Sequence, residues 1–148
     1  MIDQDEFFQR EALKQAQQAY EEDEVPIGAV IVSKDRIIAK GHNQTERLQD
    51  VTAHAEMIAI TSASHGLGSK YLTECTLYVT LEPCLMCATA ARWAQISRLV
   101  TGTNDPKCGY SLYGSGVLPA KLPVKKELLA NECSELLTEF FRSKRESY

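Results

Sequence analysis

The chain has 148 residues, of which 44% are hydrophobic and 24% are charged, and its net charge is −4. This length and composition predict one soluble domain over residues 1–148, and no apolar run approaches the ~20 residues of a membrane span. The acidic N-terminus lacks the basic segment and apolar stretch of a signal peptide. Five cysteines, two of them in a Cys-x-x-Cys, argue against a disulfide framework, so we expect a cytoplasmic protein.

The negative charge is concentrated at the start of the chain. Residues 1–24 hold eight acidic and two basic side chains, a balance of −6, so residues 25–148 carry +2. A local basic face for a nucleic-acid partner is therefore compatible with the sequence. The charge of the whole chain gives such a partner no support.

The first half of the chain predicts a helix, a hairpin and a second helix. The two helices have apolar residues at helical spacing, and the strands are short apolar runs rich in β-branched residues. These elements are, in order, a helix at 5–22, strands at 25–32 and 37–39, and a helix at 53–64. Residues 41–51 are polar and predict a loop, after which Thr52 is predicted to N-cap the second helix.

The second half predicts three further strands, two helices and one long irregular segment. The elements are a strand at 76–81, a helix at 84–93, strands at 98–102 and 124–127, and a helix at 131–145. Trp93, Phe140 and Phe141 are expected to face the core. Residues 103–119 are irregular, and such a segment in a small domain is usually functional or mobile. The element order predicts a three-layer α/β/α sandwich with a mixed five-stranded sheet.

The most informative pattern consists of His54-Ala55-Glu56 and Pro83-Cys84-Leu85-Met86-Cys87. His54, Cys84 and Cys87 supply three ligands for a tetrahedral zinc ion, and an open fourth position is typical of a catalytic site. Both halves of the pattern fall where a predicted helix begins, and that environment favours thiolates. Glu56 is not needed as a ligand, so its carboxylate is available as a general acid and base.

This combination of residues predicts hydrolytic deamination. Zinc lowers the pKa of bound water to ~7 and so provides hydroxide at neutral pH. An amidine-like carbon, such as C6 of adenine or C4 of cytosine, is the natural electrophile, and ammonia leaves as the amine becomes a carbonyl. A Cys-x-x-Cys alone would also suit a structural zinc or a redox pair, but neither explains His54 and Glu56.

Further segments carry a resemblance to a known family. They are Glu24-Val25-Pro26-Ile27-Gly28-Ala29-Val30, Gly41-His42-Asn43, Thr52 to Glu56, Leu77 to Ala88, Glu132-Cys133 and Phe140-Phe141-Arg142. Over nearly its whole length the chain resembles the bacterial tRNA-specific adenosine deaminases, a branch of the cytidine/deoxycytidylate deaminase superfamily. The resemblance implies a cytidine deaminase-like fold, one Zn²⁺ per subunit and a homodimer. It also implies that the wobble adenosine of a tRNA anticodon loop is converted to inosine.

The resemblance also assigns substrate contacts. Asn43 is expected to hydrogen-bond the extruded base, in a pocket lined by the backbone of Ala55 and by Ile27-Gly28-Ala29. Asp105 matches a position that contacts the nucleotide backbone. The positions expected near the anticodon loop are Phe141, Arg142, Lys144 and Arg145. Basic residues beside aromatic ones suit phosphates and stacked bases, but they also suit a solvated helix C-terminus.

Two other functions remain open from the sequence. The same zinc chemistry would serve a deaminase of a free nucleobase or nucleoside, such as guanine or cytosine. A non-catalytic structural subunit is disfavoured, because His54, Glu56, Cys84 and Cys87 are all present. The C-terminal segment discriminates between the two enzymes, since an open pocket beside a basic face admits an RNA loop and a covered pocket admits only a small molecule.

Overall fold

Five strands form one mixed sheet in the computed structural model, which describes residues 3–146. They are β1 (Gly28–Ser33), β2 (Arg36–His42), β3 (Cys75–Leu81), β4 (Arg98–Thr103) and β5 (Val124–Lys125). Their order in the sheet is β2-β1-β3-β4-β5. Strand β1 is antiparallel to both β2 and β3, whereas β3, β4 and β5 are parallel. The predicted mixed five-stranded sheet is confirmed.

Helices cover both faces of this sheet. They are α1 (Gln4–Glu21), α2 (Thr45–Leu48), α3 (Ala55–Leu67), α4 (Leu85–Trp93) and α5 (Ala130–Glu146), with a 3-10 turn at Tyr110–Tyr113. Helices α1 and α5 share one face, where the rings of Tyr20 and Phe140 have centroids 5.9 Å apart. Within residues 3–146, none of the helices combines the length and the apolarity that crossing a bilayer requires.

Alternation along the strands separates the core into two parts. Side chains of successive strand residues point to opposite faces of a sheet. The cluster packed with α3 and α4 includes Ala29, Ile31, Leu77, Val79 and Leu99, and the cluster packed with α1 includes Val30, Val32, Tyr78 and Val100. The two apolar clusters on opposite faces confirm the predicted three-layer α/β/α sandwich.

Several predicted boundaries are wrong. Strand β2 extends to His42 rather than to residue 39, α3 ends at Leu67 rather than at residue 64, and β5 ends at Lys125 rather than at residue 127. Strand β1 begins at Gly28 rather than at residue 25, and Pro26, which has no N–H to donate to a ladder, lies before it. Thr52 does not cap α3. Its N–H and its hydroxyl instead donate to Asp50 Oδ1 (2.8 and 2.7 Å), and the N-cap residue is His54.

Two aromatic residues expected in the core lie at the surface. Trp93 is 81% exposed and Phe141 is 45% exposed. Trp93 follows Leu85 and Thr89 at intervals of four residues, so it lies on the outward stripe of α4. Phe140 takes the buried position on α5, and adjacent helical residues cannot both face the same neighbour.

Candidate zinc-binding active site

The sheet topology brings the two halves of the sequence motif to one edge. Strands β2 and β3 are both antiparallel to β1, so their C-terminal ends lie at the same edge of the sheet. Helix α3 begins after the segment that follows β2, and three residues separate the end of β3 from the start of α4. His54 is the N-cap of α3 and Cys84 is the N-cap of α4. The two helix starts therefore place their ligands side by side.

The three predicted ligands have the spacing of a tetrahedral zinc site. His54 Nδ1 lies 3.6 Å from Cys84 Sγ and 3.4 Å from Cys87 Sγ. Zinc–sulfur bonds of ~2.3 Å and zinc–nitrogen bonds of ~2.0–2.1 Å at a tetrahedral angle place these atoms about 3.6 Å apart. This is the one group of three or more potential metal ligands found within residues 3–146. One imidazole and two cysteine sulfurs at these distances fit a zinc ion.

The two cysteines share one negative charge. The Cys87 thiol hydrogen-bonds to Cys84 and, together with the His54 ring, lowers the pKa of Cys84 to about 4. The same contact, with burial, raises the pKa of Cys87, because that sulfur keeps the proton. Cys84 is therefore a thiolate at neutral pH, and a cation bound between the sulfurs favours loss of the second proton.

Glu56 is a buried carboxyl group beside this cluster. It lies in the first turn of α3, is only 4% exposed and contacts the Cys87 side chain. Burial raises the pKa of Glu56 to about 7. A general acid and base works best when its pKa is near the working pH. The environment of Glu56 therefore suits proton transfer in both directions at neutral pH.

The structure places the residues expected around the base as follows. Asn43 is buried, and its N–H donates to the carbonyl of Ile27 (3.1 Å). Gln44 donates to the Ala53 carbonyl (3.0 Å), which brings this segment beside His54. Ala29 and Ala55 have no exposed surface. A Cβ on Gly28 would lie 2.1 Å from the Ala12 carbonyl in α1, so Gly28 can offer only backbone to a ligand.

Sequence reasoning missed Glu24, which supports the segment after Asn43. The Glu24 side chain is 1% exposed and accepts hydrogen bonds from the N–H groups of Glu46 (3.0 Å) and Arg47 (2.7 Å). A carboxylate at this point caps α2, which the sequence had predicted as loop. In the sequence, Glu24 is the last of four consecutive acidic residues, Glu21 to Glu24, and such a run is expected to be exposed.

The irregular segment after β4 lies against the start of α4. Asp105 Oδ1 accepts hydrogen bonds from the N–H groups of Lys107 (3.0 Å) and Cys108 (3.1 Å), which forms a turn. Gly109 makes a β-bridge with Cys84, and Tyr110 N–H donates to the Pro83 carbonyl (2.9 Å). Asp105 therefore belongs to a loop that contacts Cys84, one of the predicted zinc ligands, directly.

Three of the four C-terminal residues expected near RNA line one groove. Phe141, Lys144 and Arg145 share it with Lys107, which sequence reasoning had not proposed as a contact. Its position two residues after Asp105 is the feature of the sequence from which Lys107 could have been predicted as a contact. Arg142 is not among the residues that line this groove and pairs with Glu139 (2.9 Å). Lys144 also forms an ion pair with Asp23 across the end of α1.

A family model and several relatives identify this chain with the same group of zinc-binding deaminases. Residues 2–103 match the family model for the cytidine and deoxycytidylate deaminase zinc-binding region. A tRNA-specific adenosine deaminase of Agrobacterium fabrum is 47% identical over 93% of this chain and 94% of its own. The proteins of the same name from Aquifex aeolicus and Bacillus subtilis are each 44% identical, over 95% and 96% of this chain and 95% and 91% of their own.

Solved structures share the fold. A chain from structural studies of A-to-I editing by tRNA:A34 deaminases has a TM-score of 0.83 and 43% identity, over 88% of this chain and 99% of its own. A guanine deaminase from Nitrosomonas europaea has a TM-score of 0.79 at 24% identity, over 91% and 83%, and shows the same fold alone. The extent and identity of the sequence matches show that this chain belongs to the tRNA-specific adenosine deaminases, within the zinc-binding cytidine and deoxycytidylate deaminase family.

Proposed function

We propose that this protein converts the wobble adenosine of a tRNA anticodon loop to inosine by zinc-dependent hydrolysis. The observation that carries the proposal is the His54, Cys84 and Cys87 cluster with the buried Glu56 beside it. Three relatives that are 44–47% identical to this chain support the proposal, because each is named tRNA-specific adenosine deaminase. The single cluster within residues 3–146 favours one zinc ion per chain.

Glu56 moves the protons in the proposed reaction. His54, Cys84 and Cys87 would hold a zinc ion, which would lower the pKa of a water molecule and so make it a nucleophile at neutral pH. Glu56 accepts a proton from this water and delivers it to a ring nitrogen; it then accepts the second proton from the hydroxyl formed at C6 and delivers it to the departing amine. The bond from C6 to the amino nitrogen breaks, one water is consumed, and the products are inosine and ammonia. A pKa of about 7 allows Glu56 to both accept and donate.

The remaining contacts hold the RNA. Asn43, with Ile27-Gly28-Ala29 and the backbone of Ala55, is proposed to bind the extruded base. Asp105 is proposed to contact the nucleotide backbone beside it. In the C-terminal groove, Phe141 offers an aromatic face for a neighbouring base, and Lys144 and Arg145 offer positive charge for phosphates. Arg142 does not line this groove, but it lies at the same end of α5 and is also proposed to lie near the anticodon loop.

The test is a deamination assay that compares an RNA stem-loop with free compounds. We expect a zinc-loaded preparation to form inosine in an anticodon stem-loop with adenosine at the wobble position. The same stem-loop with guanosine there is the control and should stay unchanged. Free guanine, cytosine, adenosine and cytidine should release little ammonia. Rapid release from a free base, with the stem-loop untouched, would make the protein a metabolic deaminase instead.

We also propose that the protein is a cytoplasmic homodimer. The proposal of a cytoplasmic location rests on the tRNA substrate and on five cysteines that are all free. The proposed interface is the outward face of α4, with Trp93 81% and Leu85 38% exposed. Cys84 is the N-cap of this helix, so a second copy packed against Leu85 would border the zinc site. An aromatic residue with this much exposed surface is typical of interfaces.

Trp93 is the only tryptophan of the chain, so its fluorescence reports on this interface directly. We expect its emission to shift to longer wavelength on dilution, in step with a fall from dimer to monomer mass in sedimentation. Trp93→Ala should give a monomer, whereas Tyr71→Ala, an exposed aromatic outside α4, should leave the dimer intact. A dimer that persists in Trp93→Ala would contradict the proposed interface.

A further inference from the structure

Glu82 is a buried carboxylate that the proposed mechanism does not use. It follows β3 and precedes Pro83 and Cys84, and it is 5% exposed. Its side chain borders a cleft formed with the loop after β4 and accepts its hydrogen bonds from that loop. Nothing in the sequence distinguishes it from a carboxylate that ends a strand at the surface.

Both oxygens of Glu82 accept hydrogen bonds from this loop. Oε1 accepts from the N–H of Asp105 (3.0 Å). Oε2 accepts from the N–H of Ser111 (2.9 Å) and from its hydroxyl (2.6 Å). Three donors from two points of the loop therefore converge on one ionised group, and such charge-assisted bonds are the strong ones.

The backbone is shaped for this contact. A Cβ on Gly109 would lie 2.4 Å from the Glu82 carboxylate and 2.6 Å from the Asp105 carbonyl, so only glycine allows the loop to approach this closely. Gly109 also bridges to Cys84, and Tyr110 N–H donates to the Pro83 carbonyl. Backbone hydrogen bonds therefore hold the loop against the segment of Pro83 and Cys84, the first proposed thiolate ligand.

We propose that Glu82 is a positioning residue that fixes the loop from Asp105 to Ser111 against the zinc-binding helix and so shapes the RNA-binding side of the site. This inference rests on the proposed function, in which Asp105 contacts the nucleotide backbone. Glu82 acts through the loop and does not touch the reacting atoms. Its loss should therefore weaken productive binding of the stem-loop far more than it slows the chemical step.

Glu82→Gln tests the proposal with little change of volume. The amide replaces one acceptor oxygen with a donor, which then faces an N–H of the loop. The matched control is Glu127→Gln, which removes the same charge from the same cleft. Glu127 is exposed, and within residues 3–146 its carboxylate accepts one hydrogen bond, from the side chain of Asn104 (3.2 Å).

The first measurement is hydrogen exchange without substrate, together with zinc content. In Glu82→Gln we expect the amides of residues 105–113 to exchange on the order of tenfold faster. Amides of α3 and β3 should be unchanged, and bound zinc should equal the wild type. Faster exchange throughout the sheet would mean that Glu82 only stabilises the fold. Unchanged exchange in the loop, or an equal effect in Glu127→Gln, would also overturn the proposal.

The second measurement is steady-state kinetics on the stem-loop. We expect Glu82→Gln to raise KM roughly tenfold while kcat stays within about twofold. Ser111→Ala should raise KM by less, and should add nothing in the Glu82→Gln background, because both changes break the same contact. A lower kcat at unchanged KM would contradict the proposal. If the wild type leaves the stem-loop untouched while Glu82→Gln still loosens the loop, the proposed function fails and the loop contact stands.

Discussion

Replacing Glu56 with glutamine is expected to abolish nearly all turnover while the protein stays folded and keeps its zinc. The amide is similar in size but cannot take a proton from water or return one to the leaving amine. Loss of a general acid and base typically costs ~10²–10⁴-fold in rate. The proposed mechanism assigns both roles to Glu56, so we expect the upper part of that range in kcat for inosine formation.

The control for this experiment is Glu74→Gln, which makes the same chemical change at an exposed site. Glu74 lies before β3, and its carboxylate forms an exposed ion pair with Lys34 at 4.0 Å. The kcat of Glu74→Gln should equal that of the wild type. Zinc content and thermal melting of both variants should match the unmodified protein. If Glu56→Gln retained substantial activity with normal zinc, Glu56 would have no place in the mechanism.

Replacing Cys84 with alanine is expected to remove metal and stability together. One of three ligands is lost, and metal that binds only the folded state stabilises that state. A loss of about a thousandfold in zinc affinity corresponds to about 4 kcal/mol when zinc is in excess. In a domain of this size, that lowers the melting temperature by roughly 8–16 °C. Metal analysis after dialysis, together with thermal melting, measures both effects.

Cys75→Ala separates the loss of a ligand from the loss of a buried thiol. Cys75 is 1% exposed and packs in the core beneath α3 and α4, away from the metal cluster. This variant should keep its zinc and melt only slightly lower than the wild type. Zinc content in Cys84→Ala equal to that of Cys75→Ala would contradict the ligand assignment.

The local parts of the site were predictable from the sequence for a physical reason. His54 and Glu56 are two residues apart, and Cys84 and Cys87 three, so each pair is positioned by one helix start. The central strands were predictable because helices bury both of their faces, which leaves short apolar runs rich in β-branched residues, and most boundaries fell within a few residues. Thr52 was the exception, because a local bond to Asp50 takes the groups that would cap a helix.

Other features depend on contacts between segments far apart in the chain. Glu24 caps α2 across 22 residues, and Glu82 holds Ser111 across 29. A carboxylate that accepts hydrogen bonds from distant backbone looks, in the sequence, like one that is solvated. The meeting of Lys107 with the end of α5 likewise requires the folded chain.

The sequence by itself determined the chemistry and the layer architecture, because ligand spacing and apolar pattern are properties of short stretches of chain, and the family was indicated by the resemblance of longer segments. The tertiary structure decided which groups support that chemistry. It buried Glu56 and so raised its pKa to about 7, it left Trp93 exposed, and it turned Glu82 towards the loop of Asp105. Burial and hydrogen-bond partners arise only when separate elements pack together, so these properties had no counterpart in the order of the residues.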